Sequence, residues 1–195
     1  MKEIEKECLQ ATRETLTGRE KIFDGHFLHV WRDSVKTASG LDRTREYIRH
    51  PGAAVIAALF DDGTVLLEYQ WRQPCEQAFW ELPAGKLDAD EPPLECAKRE
   101  LKEETGYSGG NWHYLGRIHN AIGYSNEKLD LFLVRQARAG AAQPDEGECL
   151  TVHRVPFNEA LEMALDGRIT DVKTIIGLLW VEKFLQSKMP DKPMP

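Results

Sequence analysis

The chain has no apolar run long enough to span a bilayer. Its longest, Ala53–Phe60 and Thr174–Val181, fall well short of the ~20 residues that a membrane helix needs. The opening MKEIEKECLQ alternates charge and lacks the apolar centre of a secretory signal. Cysteine is scarce. Cys8, Cys75, Cys96 and Cys149 contain no CxxC pair, so neither a zinc site nor a disulfide framework is indicated, and reduced thiols in the cytoplasm are the expectation. An excess of positive charge is missing too. Lys and Arg total 25 against 32 Asp and Glu, a balance of −7. Such a chain repels polyanions at long range, which argues against nucleic acid and anionic membrane as partners. Internal repeats and low-complexity tracts are absent, and only the tail KMPDKPMP reads as a loose end.

What is present is the make-up of a folded protein, 42% hydrophobic and 29% charged over 195 residues. That length suits one domain with an arm, not two full enzyme domains. The first fifty residues carry strand-like runs at Lys21–Phe23, His26–Val35 and Arg45–Ile48, punctuated by Asp24-Gly25 and Ser39-Gly40. After Pro51-Gly52, AAVIAALF and TVLLEYQWR flank Asp61-Asp62-Gly63. This predicts a hairpin whose first strand is apolar enough to be buried on both faces. Further strands are predicted at Phe79–Leu82, Tyr114–His119, Lys128–Val134 and Leu150–Val155. Helices are predicted at 94–105 before Gly106, at 159–165 between an Asn158 cap and Gly167, and at 171–186 with Thr170 as cap. Strands interrupted by helices, without regular βαβ units, indicate an α+β sandwich. The expected division is an N-terminal antiparallel β arm over 1–50 and a catalytic domain over 51–195.

The chemistry-bearing segment runs from Gly85 to Tyr107. Residues 81–104 hold eight acids against four bases, so much of the net charge is concentrated there. On a helix, Leu94, Ala97, Leu101 and Thr105 share one side while Glu100, Glu103 and Glu104 cluster on another. Like charges at i,i+4 cost a few tenths of a kcal/mol in an isolated helix, and a divalent cation reverses that sign. Three carboxylates within about one turn, without His or Cys, suit a hard ion such as Mg²⁺ or Mn²⁺. Arg99, four residues before Glu103, is placed to hold that carboxylate.

The full spacing resembles the Nudix box, G-x5-E-x7-R-E-U-x-E-E-x-G-U with U apolar. Gly85, Glu91, Arg99, Glu100, Leu101, Glu103, Glu104, Gly106 and Tyr107 fill every specified position. At average residue frequencies such a match arises by chance with a probability below roughly one in a million. The resemblance implies a Nudix-type α/β/α sandwich that binds divalent metal, Mg²⁺ with Mn²⁺ as a substitute, and cleaves the diphosphate of a nucleoside diphosphate sugar. It implies metal ligation by Glu100, Glu103 and Glu104 with the carbonyl of Ala84.

Flanking segments are similar to the ADP-ribose and ADP-sugar pyrophosphatases of that family. They are Arg45-Glu46, His50–Ala53, Tyr69–Pro74, Phe79–Gly85 and Gly167–Thr174. The similarity implies a homodimer through an exchanged arm, with Arg72 on the diphosphate, Glu46 on the nucleoside and Gly123 in a loop near the terminal ribose. Ile122 stands where those enzymes commonly carry proline, and Arg45 where they often carry tryptophan. The general base is implied in the acidic loop Pro144–Cys149, at Glu146 with Glu148 as the alternate, and Glu104 belongs to the catalytic set. The expected products are AMP and a sugar phosphate. Two alternatives stay open: the same chemistry on another nucleotide sugar such as GDP-mannose, and a Nudix-fold sensor that does not cleave its ligand.

Overall fold

The computed structural model describes residues 1–142, 149–190 and 192–195. They fall into two compact units, Met1–His50 with Ala121–Glu127, and Pro51–Asn120 with Lys128–Pro195.

The first unit opens with α1 (Lys2–Thr12), which buries none of its residues. The sequence reading had no helix here; the segment is made largely of Lys, Glu, Leu, Gln and Ala, which favour helix without needing a packed face. Three strands follow, β1 (Thr15–Asp24), β2 (His29–Lys36) and β3 (Asp42–Ile48), paired as an antiparallel β1-β2-β3 sheet. β1 is longer than the predicted Lys21–Phe23 because its polar first half is ordered by pairing with β2. Within this sheet Asp33 is buried and receives Arg19 through two bonds of 2.7 Å. The segment 121–127 joins the same unit. Ile48 N donates to the Tyr124 carbonyl at 2.8 Å and His50 N to Asn126 Oδ1 at 2.8 Å.

The second unit contains β4 (Ala53–Leu59), β5 (Thr64–Arg72), a 3-10 turn at Gln73–Cys75, β6 (Gln77–Glu81), β7 (Ala84–Lys86), α2 (Pro93–Thr105), β8 (Asn111–His119), β9 (Lys128–Arg135), β10 (Leu150–Pro156), α3 (Phe157–Asp166) and α4 (Val172–Leu185). Its sheet runs β10-β5-β4-β9-β8, with β6 added to β5 and β7 to β4. β4 is buried on both faces throughout, as its unbroken apolar run requires. Ala54, Ile56 and Ala58 pack with Cys96, Ala97 and Leu101 of α2. Ala53, Val55, Ala57 and Leu59 pack on the other face with Phe157, Ala160, Met163, Leu178 and Val181 of α3 and α4. The architecture is an α/β/α sandwich. No helix among the described residues is long and apolar enough to cross a membrane.

Three local expectations change. The Asp61-Asp62-Gly63 turn joins β4 to β5, but these strands pair only at Leu59 and Val65. Beyond that point the facing edges are taken by β7 on β4 and β6 on β5, while β9 and β10 pair along the outer edges of the two strands. The predicted hairpin forms at its turn, where Phe60 N also donates to the Thr64 carbonyl at 2.9 Å, and is short because β7 and β6 separate its strands. The cap of α3 is Pro156, not Asn158, with no side-chain bond; proline's fixed φ suits a helix start. The cap of α4 is Asp171, not Thr170, and its carboxylate accepts from Thr174 N.

Candidate active site

The box folds as strand, loop and helix. β7 pairs through Gly85 with Ala54, and α2 follows, closing at Gly106 in the left-handed conformation where glycine carries no Cβ penalty. Gly85 has a second reason to lack a side chain. A Cβ there would lie 1.8 Å from Glu100 Cδ, so the Glu100 carboxylate occupies the space beside the β7 backbone. Ala84, the proposed carbonyl ligand, immediately precedes that contact.

Arg99 organises the carboxylates. Its Nε and Nη2 donate to the two oxygens of Glu91, each at 2.9 Å, and Nη1 donates to Glu100 at 2.8 Å and Glu103 at 3.0 Å. Nη2 also reaches the Lys86 carbonyl at 3.1 Å. The guanidinium brings the Glu91 carboxyl down to about 2, against burial, and itself titrates well above its usual range. Arg99 thus holds Glu100 as well as the expected Glu103. Glu91 is specified by the box spacing, but its role as the partner of Arg99 was not legible there. Glu104, one turn along α2 from Glu100, is buried at 6% exposure. Beneath the loop, burial pushes the Cys96 thiol up to about 12, with Glu91 and Glu100 adding to the effect.

Among the described residues no three His, Cys, Asp or Glu side chains converge as a cation cage, because Glu100 and Glu103 are both turned to Arg99. The donor set nevertheless fits a divalent ion. It consists of oxygen donors only, Gly85 leaves room for one of them, and three carboxylates (Glu91, Glu100, Glu103) share one arginine, leaving a negative excess.

Arg72 ends β5 and is held by Glu81, the last residue of β6. Nε and Nη2 each donate to one Glu81 oxygen at 2.7 Å. The Glu81 bond keeps the guanidinium protonated against its partial burial, with the charges of Asp171 and Glu104 adding to the effect. Glu81 is buried and also accepts from Lys173 Nζ. Burial raises its carboxyl, but Arg72 and Lys173 together bring it below the usual range. Lys173 further contacts Asp171 at 3.0 Å, and Thr174 Oγ1 accepts from Leu82 N at 2.7 Å. The sequence reading missed Glu81, Asp171, Lys173 and Thr174 as functional residues. Lys173 and Thr174 each lie 92 positions from their partners in β6 and the residue after it, and only the similarity of both flanking segments to one subfamily pointed at them.

In the other unit, Glu46 is exposed on β3 and accepts from Arg32 at 2.7 and 2.9 Å. Gly123 lies in the 121–127 segment with open space where a Cβ would be. Ile122 and Tyr124 beside it are exposed. The candidate bases Glu146 and Glu148 lie outside the described residues.

Comparison with known proteins agrees with this geometry. The NUDIX domain profile matches residues 49–175, and the chain belongs to that family: it is a Nudix hydrolase. It is 33% identical to the methanol dehydrogenase activator of Bacillus methanolicus, over 84% of this chain and 89% of that one. It is 34% identical to the ADP-ribose pyrophosphatase of Mycobacterium tuberculosis, over 90% and 86% of the two chains. It is also 34% identical to the GDP-mannose pyrophosphatase of Pectobacterium atrosepticum, over 82% and 89%. A crystal structure of an ADP compounds hydrolase superposes with a TM-score of 0.79, covering 90% of this chain and 96% of the other at 20% identity, and shares the fold.

Proposed function

We propose that the protein hydrolyses the diphosphate bond of ADP-ribose or a related ADP-sugar, releasing AMP and a sugar phosphate. The observation that supports this reading is the packing of the box, with Glu100 seated against Gly85 and Arg99 bonded to Glu91, Glu100 and Glu103, in a chain of the Nudix family. A diphosphate bridged to metal calls for cation-binding carboxylates and an anion-binding guanidinium, and the box glutamates and Arg72 are groups of those types. Glu100, Glu103 and Glu104 with the Ala84 carbonyl would hold Mg²⁺, with Mn²⁺ as a substitute. Bound there, the ion would neutralise diphosphate charge and lower the pKa of water.

The chain's own residues supply the rest. Arg72 presents planar donors that match phosphate oxygens. Arg99 holds the carboxylates of α2 in one arrangement before substrate arrives. Glu146, with Glu148 as alternate, takes the proton of the attacking water, because box carboxylates engaged by metal retain little basicity. Glu46 and the Gly123 loop take the nucleoside and terminal ribose. Residues 1–50 act as an exchanged arm in a cytoplasmic homodimer, in keeping with the exposed Leu16, Phe23, Phe27 and Leu28 of that unit and with four free cysteines. Residues 51–195 are the catalytic domain.

A panel of ADP-ribose, ADP-glucose and GDP-mannose with Mg²⁺ or Mn²⁺, read by phosphate release after added phosphatase, tests the reading. ADP-ribose or an ADP-sugar is expected to be cleaved fastest. The GDP-mannose pyrophosphatase relative motivates the alternative, and preferential cleavage of GDP-mannose would establish it. No cleavage of any substrate would leave a ligand sensor.

A further inference from the structure

Arg72 carries a long, flexible side chain that is 45% exposed at a strand end, yet the reading above requires it to meet a diphosphate in one orientation. Glu81 provides the constraint. By taking Nε and the inner N–H of Nη2, it fixes the plane of the guanidinium. The outer edge, formed by Nη1 and the second N–H of Nη2, is left to point away from Glu81. Nη1 bonds to no described residue. That free edge is the fork that binds two phosphate oxygens at once.

Glu81 itself must be held. Its carboxylate is 5% exposed, and the second cation on it is Lys173, only 13% exposed. Lys173 lies in the first turn of α4, whose start is pinned by Asp171. Asp171 accepts from Thr174 N at 3.0 Å and from Thr174 Oγ1 at 2.6 Å. Thr174 Oγ1 in turn receives Leu82 N, the residue after Glu81. The start of α4 therefore grips the end of β6 twice, once through the backbone and once through the carboxylate that aims Arg72.

We propose that Lys173 is a positioning residue, setting the orientation of Arg72 toward the substrate diphosphate through Glu81. This rests on the reading of Arg72 as the diphosphate ligand. Without Lys173, Glu81 keeps one cation at a buried site, its charged form is less favoured, and the guanidinium loses its fixed plane.

The test is a double-mutant cycle on the full chain, with Lys173→Met, Arg72→Met and the double variant. Steady-state cleavage of ADP-ribose with Mg²⁺ is measured together with thermal unfolding. Lys173→Met is expected to lower kcat/KM by roughly 10- to 100-fold, the scale of a small misplacement of a binding group, mainly through KM. Lys173→Arg should recover most of the loss. The double variant should be no slower than Arg72→Met alone, since interacting residues are non-additive. Equal losses from Lys173→Met in the presence and absence of Arg72 would overturn the proposal and leave Lys173 a purely structural tie. Unchanged kinetics in Lys173→Met would overturn it as well, with Arg72 still the ligand if Arg72→Met is impaired. Wild-type kinetics in Arg72→Met would remove the reading of Arg72 and the proposal with it. Should Lys173→Met not fold, Glu81→Gln carries the same cycle, because its volume is conserved.

Discussion

Replacing Gly85 by alanine should separate chemistry from stability. The added Cβ would stand 1.8 Å from Glu100 Cδ, 1.9 Å from Oε1 and 2.4 Å from Cγ. Ordinary contact begins near 3.4 Å, so the carboxylate must retreat by about 1.6 Å. Only the end of a flexible side chain has to move, and the backbone at Gly85 is not in the left-handed region. The fold should survive, with a thermal midpoint within about 3 °C of wild type, equivalent to roughly 1 kcal/mol for a chain of this size. Displacing a reacting or metal-holding group by more than 1 Å costs on the order of 10²-fold in rate. Gly85→Ala is therefore expected to lower kcat by about that factor and to raise the Mg²⁺ concentration needed for half-maximal turnover. The assay is phosphate release from ADP-ribose across an Mg²⁺ titration, paired with thermal unfolding. A folded variant with wild-type turnover and unchanged Mg²⁺ dependence would refute the assignment of Glu100.

Other outcomes follow from the same contacts. Thr174→Val keeps the volume but leaves buried Leu82 N without its acceptor, which should cost about 1–3 kcal/mol, or roughly 2–12 °C in thermal midpoint; a shift below about 1 °C would contradict the bond's role. Glu91→Gln should cost about 2 kcal/mol at neutral pH, because its partner Arg99 is charged. The Glu91 carboxyl sits at about 2 instead of its ordinary 4.5, so its stabilisation is complete above about pH 4.5 and fades as pH falls toward 2. The gap between wild type and Glu91→Gln should therefore hold above about pH 4.5 and narrow from there toward pH 2 in denaturant unfolding, and a constant gap would refute the pairing. Glu146→Gln should cut turnover by roughly 10²- to 10⁴-fold with metal dependence near wild type, and Glu148→Gln should not; the reverse pattern transfers the base to Glu148.

Much of the catalytic domain was legible because its signals are local. α2 could be bounded from the apolar stripe and Gly106, and the burial of β4 from its uninterrupted apolar run. Features decided by distant partners were not. β7 is three residues long and exists through its pairing with β4, so nothing in AGK announces a strand. The turn after β4 does join a hairpin, but a short one, because β7 and β6 take the facing edges of β4 and β5. In the site, the spacing of Glu100, Glu103 and Glu104 showed one face of a helix, whereas the orientation of each carboxylate depends on Arg99 and Gly85. The Arg72–Glu81–Lys173 chain joins β5, β6 and α4, and no window of sequence contains it.

The parallel pairing of β4 with β9 also constrains how the protein is made. β4 is complete at Leu59, but the strand it pairs with ends at Arg135. At about 5–20 residues per second of synthesis, AAVIAAL waits roughly 4–15 s for that partner, uncharged and wholly apolar. Such an exposed apolar segment invites intermolecular contact, so the burial that makes β4 the axis of the folded sandwich makes it a liability on the ribosome. The box helix lies between β4 and β9 in the sequence. A chain stalled before residue 128 would carry every box carboxylate, with β4 and β7, and still lack Phe132 and Val134 of β9, which complete the core beneath α2.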